Sequence, residues 1–465
     1  MIKFLKVNDP YRFGILIFAF ILIRSLIFFY GSPLTHIELP YLLSARAIAE
    51  GKWIYKDIWE TTEPLTSFVI YLLPKEPAIF CIFSYWINVI LIIFNAFYAN
   101  YFIQKLDVFS DKTFVPALFY TLISLMFFEL NVLSAPLLAS TFLLLTLSNI
   151  FSYLKKENLY RMYDSGFFLG ISTLFFLPCI AFTPAIFLGM LLFTRSNGKG
   201  YFLLLLGLIF PWAILCILFL WVEGLQDFFN IFVSHYFSNY NSYIHSSETL
   251  VIFLLPTLLF LLGMFFGLKG SLREINFQSI SRKFVLFWLF GGVFACIIAP
   301  VKSFTLLYVL IFPLAFFYSF YFLRIKAYIL PNIGLFMYVG VATFLQYRCL
   351  KGTIWQETVY QIKVGQNRSD LLDGKRILIT GNNQDSYLYS KVAGRYLNWN
   401  VSQEDFAHLD KFYAIENIRK NFYTDLPECI LDQSDIIPKF FEKIPRLKQI
   451  YKAKEKGLYI LQRKE

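Results

Sequence analysis

Charged residues are scarce in this chain, and the spacings that mark zinc, disulfide and nucleotide sites are missing. Only 16% of its 465 residues are charged, against about 25% in an ordinary soluble domain. Its six cysteines show no CxxC spacing, so neither a metal site nor a disulfide framework is predicted. No GxGxxG motif is present, which leaves nucleotide binding unsupported. With 57% hydrophobic residues, the composition favours a polytopic membrane protein.

Long apolar runs recur between Phe13 and Tyr347, each long enough to cross a hydrocarbon core about 30 Å thick. We predict eleven spans, at 13–30, 78–104, 113–129, 134–154, 164–178, 180–194, 201–222, 248–268, 284–300, 303–323 and 327–346. The pair on either side of Pro178 is short, so it is either two spans or a buried hairpin of half-length helices, which reduces the total to nine.

The chain is expected to divide into two domains. Residues 1–346 form a transmembrane domain with an outer loop at 31–66, and residues 347–465, which are mixed and charged, form a soluble α/β domain. The predicted fold class is therefore a polytopic α-helical membrane protein with a small C-terminal α/β domain.

Lysine and arginine collect on one side of the predicted spans. That side carries Lys3, Lys6, Arg12, Lys105, Lys112, Lys155, Lys156, Arg161, Arg195, Lys199, Lys269, Arg273, Arg282, Lys283, Arg324 and Lys326, and the other carries only Arg46, Lys52, Lys56, Lys75 and Lys302. The N-terminus is thus predicted to be cytoplasmic, and an odd number of spans places loop 31–66 and the C-terminal domain outside. This bias and a lysine-rich tail account for the net charge of +11, so membrane lipids rather than nucleic acid are the expected partners.

The outer loop concentrates acidic residues directly behind the first span. Between Glu38 and Glu50 apolar residues recur at helical spacing, which predicts an amphipathic helix on the membrane surface that ends at Gly51. Three further acidic residues follow before Pro64, namely Asp57, Glu60 and Glu63.

The loop resembles the first outer loop of the GT-C superfamily of glycosyltransferases. The resemblance rests on the pattern E-x-x-Y-L-x-x-A-x-x-I-x-x-G from Glu38 to Gly51, followed by Y-x-D at 55–57 and by P-L at 64–65. It is closest to bacterial members, which are multispanning inner-membrane enzymes that use polyprenyl-phosphate-linked sugars. The resemblance implies no cofactor beyond that lipid-linked sugar donor.

The resemblance implies that Glu38 acts as general base or positions the acceptor. An inverting transfer needs a carboxylate that takes the proton of the acceptor hydroxyl. Glu38 stands alone where many members carry an acidic pair, so Asp57, Glu60 or Glu63 is expected to supply the second acidic group. Alternatively, Glu38 only opens the helix, where a carboxylate interacts favourably with the helix dipole.

Two basic residues are candidates for binding the donor phosphate. Lys302 lies in the turn APVKSF between two late spans, at a place where members of the superfamily often carry a basic residue that holds this phosphate. A lysine at the end of a span also reaches the interface routinely without any ligand. Arg24 lies within the first span, where a charge needs a partner, and Glu129 or a lipid phosphate is expected to provide it.

The outer loop from Val222 to Glu248 contains neither lysine nor arginine and is rich in aromatic residues. His235, Tyr240 and His245 are candidates for contacting the substrate, and the aromatic rings either stack on sugars or anchor the loop at the interface. The two histidines are ten residues apart without a third ligand in register, so no metal site is predicted.

The C-terminal domain shows alternating strand and helix patterns. Strands are predicted at 376–381, 428–432, 448–453 and 457–462, and helices at 384–397, 413–423 and 435–444. This domain is expected either to cap the membrane cavity or to dock a partner.

The function that follows is transfer of a sugar from a polyprenyl-phosphate donor to a lipid, glycan or protein acceptor on the extracytoplasmic side of a bacterial inner membrane. The alternative is a non-catalytic scaffold with the GT-C fold, whose outer domain binds a partner from the envelope or the secretion machinery.

Overall fold

The structure of the protein, a computed structural model, describes residues 2–5, 7–29, 34–194, 198–237, 241–242, 275–324, 329–350, 361–362, 371–455 and 457–462. The chain separates into two compact units. The first, called here the membrane unit, comprises residues 1–32, 82–215 and 241–360. The second, called the mixed unit, comprises residues 33–81, 216–240 and 361–465.

Long apolar helices build the membrane unit. The helices that lie wholly or mostly in it are Ile2–Leu5, Pro10–Phe29, Pro77–Lys105, Val115–Ser124, Ala135–Lys156, Tyr160–Phe175, Phe182–Phe193, Gly198–Trp221, Asn276–Ile298, Leu307–Arg324 and Ile329–Leu350. Proline, whose fixed φ suits a first turn, stands at or next to the first residue of several helices of the chain, namely those that contain Pro10, Pro40, Pro64, Pro77, Pro116 and Pro136. Among the described residues, six helices are long and apolar enough to cross a membrane.

Most predicted spans coincide with a helix, but some helices are short. The two segments around Pro178 form helices Tyr160–Phe175 and Phe182–Phe193, separated by the 3₁₀ turn Leu177–Ala181. The predicted span 113–129 is a helix only over Val115–Ser124. The predicted span 248–268 lies outside the described residues.

The chain between Ser124 and Ala135 is not a continuous helix, and side chains from other helices bind its backbone. The donors are Arg24 to the carbonyls of Ser124 (2.8 Å) and Leu130 (3.2 Å), Tyr308 to Leu130 (2.5 Å), Asn88 to Val132 (2.7 Å) and Gln346 to Leu125, while Ser84 accepts the amide of Leu133 (3.2 Å). A backbone away from water needs such partners. The polar residues of these helices therefore support a break in the helical structure.

Helices Tyr160–Phe175 and Gly198–Trp221 approach each other so closely that only glycine fits at their crossing. A Cβ added to Gly207 would lie 2.3 Å from the carbonyl oxygen of Tyr163, and one added to Gly166 would lie 2.0 Å from that of Leu204. Small residues at such crossings let backbones pack directly, which drives helix association in membranes.

The mixed unit is built on a five-stranded sheet formed by the C-terminal region. Its strands are β1 (Arg376–Thr380), β2 (Lys391–Val392), β3 (Cys429–Asp432), β4 (Tyr451–Glu455) and β5 (Leu458–Leu461). Their order is β2-β1-β3-β5-β4. The pairs β2-β1 and β1-β3 are parallel, whereas β3-β5 and β5-β4 are antiparallel. The helices are Leu39–Ala49, Pro64–Tyr71, Leu225–Asp227, Trp399–Ala407, Phe412–Thr424, Ile437–Lys443 and Pro445–Ile450.

The predicted fold class is confirmed, and so are most elements of the C-terminal domain. The helix predicted at 384–397 is wrong, because this stretch forms the 3₁₀ turn Asp385–Leu388 and then the edge strand β2. The amides of Lys391 and Ala393 bond to carbonyls of the first strand region, and Gly394 follows with φ +69°, which a helix does not accommodate.

The predicted helix of the outer loop is confirmed at Leu39–Ala49, and Gly51 ends it with φ +86°. The loop is fastened to the C-terminal domain inside the mixed unit. The amide of Trp59 bonds to the carbonyl of Arg395 (2.7 Å), and the amide of Asn398 bonds to the carbonyl of Trp59 (3.1 Å). The side chains of Arg46 and Lys52 donate to the carbonyls of Leu388 (2.8 Å) and Val392 (3.1 Å), respectively. The loop and the C-terminal domain therefore lie on the same side of any membrane.

The glycine crossing predicts a sharp effect of substitution. Replacing Gly207 with leucine forces the two backbones apart and should destabilise the protein by about 1 to 3 kcal/mol, measured as thermal unfolding in detergent. Gly14→Leu is the control, because nothing lies within 4 Å of a Cβ at Gly14. Equal loss of stability in both variants would contradict the close crossing.

Candidate functional site

Glu38 is buried at the start of the helix Leu39–Ala49, and its side chain turns back to the preceding turn. It is 3% exposed. One carboxylate oxygen accepts hydrogen bonds from the hydroxyl (3.1 Å) and the amide (3.3 Å) of Thr35. The side chain makes no capping hydrogen bond to the helix. Glu38 stands directly before the first residue of the helix, so the alternative in which its carboxylate only interacts with the helix dipole stays open.

Glu60 is a second buried carboxylate of the same loop, and it connects the loop to the C-terminal domain. Its Oε1 accepts hydrogen bonds from the amide of Thr61 (2.8 Å) and from the side-chain amide of Asn398 (3.0 Å). Its Oε2 is buried without a hydrogen-bond partner. Burial raises the pKa of Glu60 although these hydrogen bonds oppose the rise.

Glu63 is the third buried carboxylate, and a tyrosine from the aromatic loop binds it. The hydroxyl of Tyr236 donates to Oε1 of Glu63 at 2.6 Å, and both residues are buried. Burial raises the pKa of Glu63 to about 7 although the Tyr236 hydroxyl favours the charged form. The neighbouring Tyr55 hydroxyl has a pKa raised first by burial and then by the charges of Glu63 and Glu60. The pKa of Glu63 therefore lies near neutral pH.

Asp57 has a different environment from these three. It is half-buried, and its carboxylate accepts the amide of Trp53 at 2.9 Å, while its own amide bonds to the carbonyl of Trp53 at 2.8 Å. Between Trp53 and Asp57, the residue Tyr55 has φ +69°. The Asp57 side chain closes a tight turn, so its contacts are those of a residue that fixes the loop.

In the described part of the aromatic loop that begins at Val222, three rings pack next to the acidic outer loop 31–66. Phe228, Phe232 and Tyr236 are buried, and the rings of Phe228 and Phe232 lie 5.4 Å and 5.3 Å from the ring of Tyr55. These three rings are neither stacking platforms nor interface anchors. Tyr240 and His245 lie outside the described residues.

His235 lies at an open groove in the mixed unit. Its Nε2 is 2.7 Å from the carboxylate of Glu404, and its Nδ1 is 2.6 Å from the carbonyl of Asn230. The groove has a volume of about 530 Å³ and is lined by His235, Trp399, Asn400, Gln403, Glu404, Ala407, Ser434 and Ile436. Amide, hydroxyl and carboxylate groups of this kind hydrogen-bond to hydroxylated ligands. Among the described residues, no three His, Cys, Asp or Glu side chains come together as a metal site requires.

Arg24 and Lys302, the candidates for the donor phosphate, belong to the membrane unit. Arg24 is fully buried and donates to backbone carbonyls, and no described ion pair joins it to Glu129. Glu129 instead accepts the amide of Phe304 at 2.6 Å. Lys302 is half-buried, and its ammonium donates to the carbonyls of Cys296 (2.8 Å) and Ile297 (2.5 Å) at the end of the helix Asn276–Ile298. Two of the three ammonium protons are thus used by the protein.

Known structures share the architecture of the chain. It is similar to ArnT from Cupriavidus metallidurans bound to undecaprenyl phosphate, with a TM-score of 0.58 and 10% identity over 96% of this chain and 97% of that one. The Archaeoglobus fulgidus oligosaccharyltransferase in the apo form gives a TM-score of 0.49 at 10% identity, over 91% of this chain and 69% of that one. No family model matches the chain, and no curated protein matches its sequence.

The similarity to ArnT extends over nearly the full length of both chains, so it defines the fold. This protein has the fold of the GT-C superfamily of membrane glycosyltransferases. The resemblance inferred from the loop around Glu38 is confirmed at the level of the fold. At 10% identity the similarity shows the fold alone, and the roles of individual residues have to be argued from their own contacts.

The pKa of Glu63 predicts how stability depends on pH. In the folded protein this pKa is about 7, above the ordinary value of 4.5, so between these values the folded state holds a proton that the unfolded chain releases. Stability should therefore fall as the pH rises through this window, by up to about 3 kcal/mol. Glu63→Gln keeps an acceptor for Tyr236 and should remove this share of the pH dependence, measured as thermal unfolding in detergent between about pH 4 and pH 8.

Glu50→Gln is the matched control, because Glu50 is exposed directly after the helix Leu39–Ala49 in the same loop and has only a solvent-exposed ion pair, 3.9 Å from Lys391. It should unfold with the pH profile of the wild type. Parallel profiles of the wild type and Glu63→Gln would mean that Glu63 is not protonated in the folded protein.

Proposed function

We propose that this protein transfers a sugar from a polyprenyl-phosphate-linked donor to an acceptor at the extracytoplasmic face of a bacterial inner membrane. The observation that carries the proposal is the GT-C fold over the whole chain, shared with an ArnT that was crystallised with undecaprenyl phosphate. The three buried carboxylates of the first loop, Glu38, Glu60 and Glu63, support it, because such a transfer needs an acid–base group beside the acceptor.

The proposed chemistry is an attack of an acceptor hydroxyl on the anomeric carbon of the donor sugar. The bond between that carbon and the phosphate oxygen breaks, the polyprenyl phosphate leaves, and a carboxylate takes the hydroxyl proton. A base works best when its pKa lies near the operating pH. Glu63, with a pKa of about 7, meets this condition, and Glu38 is the carboxylate that the GT-C motif indicates.

We assign the base or acceptor-binding role to Glu38 and a supporting acid–base role to Glu63. Glu60 lies close enough to raise the pKa of Glu63 through its charge. Removing the Glu60 charge would therefore make Glu63 a weaker base. Asp57 holds the loop in shape, so its loss should act through the position of the other carboxylates.

The sidedness of the reaction follows from two observations. The acidic loop and the C-terminal domain form one unit, so both lie on one side of the membrane. The predicted connections on that side carry few lysine and arginine residues, which is typical of the extracytoplasmic face. The donor and the acceptor are therefore proposed to meet outside, where no nucleotide sugar is present.

The main prediction concerns Glu38. Purified Glu38→Gln in vesicles with a polyprenyl-phosphate sugar should lose about 10²-fold or more in transfer rate, because glutamine accepts a hydrogen bond but takes no proton. The Glu63→Gln variant should keep part of the transfer activity, and the pH optimum of that activity should differ from the optimum of the wild type. The donor and the acceptor are identified first by comparing the glycolipids and glycans of cells with and without the protein.

Glu50→Gln provides the control in the same loop and should keep full activity. A deletion phenotype that Glu38→Gln and Glu63→Gln both restore at matched expression would contradict catalysis by these carboxylates. In that case the protein acts as a scaffold with the GT-C fold, and its mixed unit binds a partner.

A second prediction concerns Lys302, whose third ammonium proton remains for a ligand. Lys302→Gln should raise the KM for the donor more than it lowers kcat, because it removes a charge that pairs with the phosphate in both the ground state and the transition state. Lys302→Arg keeps the charge and should recover most of the affinity. Equal donor KM values in wild type and Lys302→Gln would leave Lys302 with only its role at the end of the helix.

A further inference from the structure

A large cavity opens between three helices at the end of the membrane unit that carries Lys105 and Lys156. Its volume is about 810 Å³. It lies between the last turns of Pro77–Lys105 and Ala135–Lys156 and the first turns of Tyr160–Phe175. All of its lining residues belong to the membrane unit, and none of them has a role in the proposed transfer.

Three basic side chains lie on the rim of this cavity. Lys105, Lys156 and Arg161 line it together with one acidic residue, Asp164. Arg161 donates to the side-chain carbonyl of Asn149 at 3.0 Å and lies 3.6 Å from the Asp164 carboxylate. Two positive charges therefore remain without an opposite charge on the rim.

Hydroxyl and amide groups complete the polar part of the rim. The ammonium of Lys105 lies 3.1 Å from the hydroxyl of Tyr101, and Ser148, Ser152 and Asn158 also line the cavity. The Ser152 hydroxyl already donates to the backbone carbonyl of Ser148 at 2.8 Å. The Tyr101 and Ser148 hydroxyls and the Asn158 side-chain amide are of donor types that an anion with several oxygen atoms could accept together with the ammonium groups.

Apolar side chains form the remaining walls. They are Phe102, Leu145, Phe167 and Phe168 of the three helices and Leu106, which directly follows the first of them. A ligand that fits both parts has an anionic head and an apolar body. The volume exceeds that of a single phosphate ion, which is close to that of a few water molecules at about 30 Å³ each.

We propose that this cavity binds the head group and the upper acyl chains of an anionic phospholipid. The Lys105, Lys156 and Arg161 side chains would bind the phosphate, and the aromatic walls would hold the glycerol and the first chain methylenes. These basic residues lie on the predicted cytoplasmic connections, and basic pockets between helices on that side bind anionic head groups. None of the residues that line this site has a role in the proposed transfer.

The test compares phosphatidylglycerol with phosphatidylcholine. The full chain is purified, stripped of lipid, and titrated with each lipid in detergent while native mass spectrometry counts the bound molecules. Phosphatidylglycerol should bind more tightly. The double variant Lys105→Gln with Arg161→Gln should weaken its binding by about tenfold or more and leave phosphatidylcholine unchanged.

Two further variants separate charge from shape. Lys112→Gln with Lys283→Gln removes two exposed charges outside the cavity and should leave the lipid preference intact. Ser148→Trp fills the cavity without changing its charge and should also abolish the preference. Thermal unfolding confirms that each variant is folded.

Several outcomes would overturn the proposal. These are equal affinity for both lipids, an equal loss in the Lys112 and Lys283 control, or full binding in folded Ser148→Trp. Inorganic phosphate is tested as a competitor in the same titration. If phosphate alone displaces phosphatidylglycerol at comparable concentration, the cavity is a site for a soluble phosphate and not for a lipid.

Discussion

Every polar group buried in this protein needs a partner, because neither lipid nor packed protein supplies water. The stretch between Ser124 and Ala135 shows the consequence in the membrane unit. Its backbone leaves the helical pattern, and Arg24, Asn88 and Tyr308 donate to the carbonyls that the break exposes. From the sequence alone, a charged residue within an apolar helix suggests a ligand site. In the structure the Arg24 side chain donates hydrogen bonds to backbone carbonyls instead.

The same constraint organises the carboxylates of the mixed unit. Backbone hydrogen bonds join Trp59 of the loop to the C-terminal domain, and Glu38, Glu60 and Glu63 of the same loop are buried. Each carboxylate then has its own partner: Thr35 for Glu38, Asn398 for Glu60 and Tyr236 for Glu63. Burial raises the pKa of both Glu60 and Glu63, and that of Glu63 reaches about 7, which is the range that acid–base catalysis near neutral pH requires.

Much of this architecture was predictable from the sequence, because apolar length and period act locally. The positions of the six long apolar helices among the described residues, the helix that ends at Gly51 and the strand of residues 376–380 follow from such patterns. The edge strand at Lys391–Val392 could not be predicted from local patterns, because its conformation depends on pairing with the strand that begins at Arg376. The partners of Glu60 and Glu63 could not be predicted either, because Asn398 and Tyr236 are more than 170 residues away in the sequence from the glutamates that they bind.

Tyr236 shows that the contacts of a residue define its role more closely than its residue type does. In the sequence it is one aromatic residue among several in a loop without lysine or arginine, and stacking on sugars or anchoring at the interface would each account for it. In the structure its ring is buried against Phe232, and its hydroxyl donates to Glu63. The loop thus supplies the one hydrogen bond that opposes the effect of burial on this carboxyl group most strongly. Without that hydroxyl the pKa of Glu63 would rise further, and the group would remain protonated at neutral pH and unable to accept a proton.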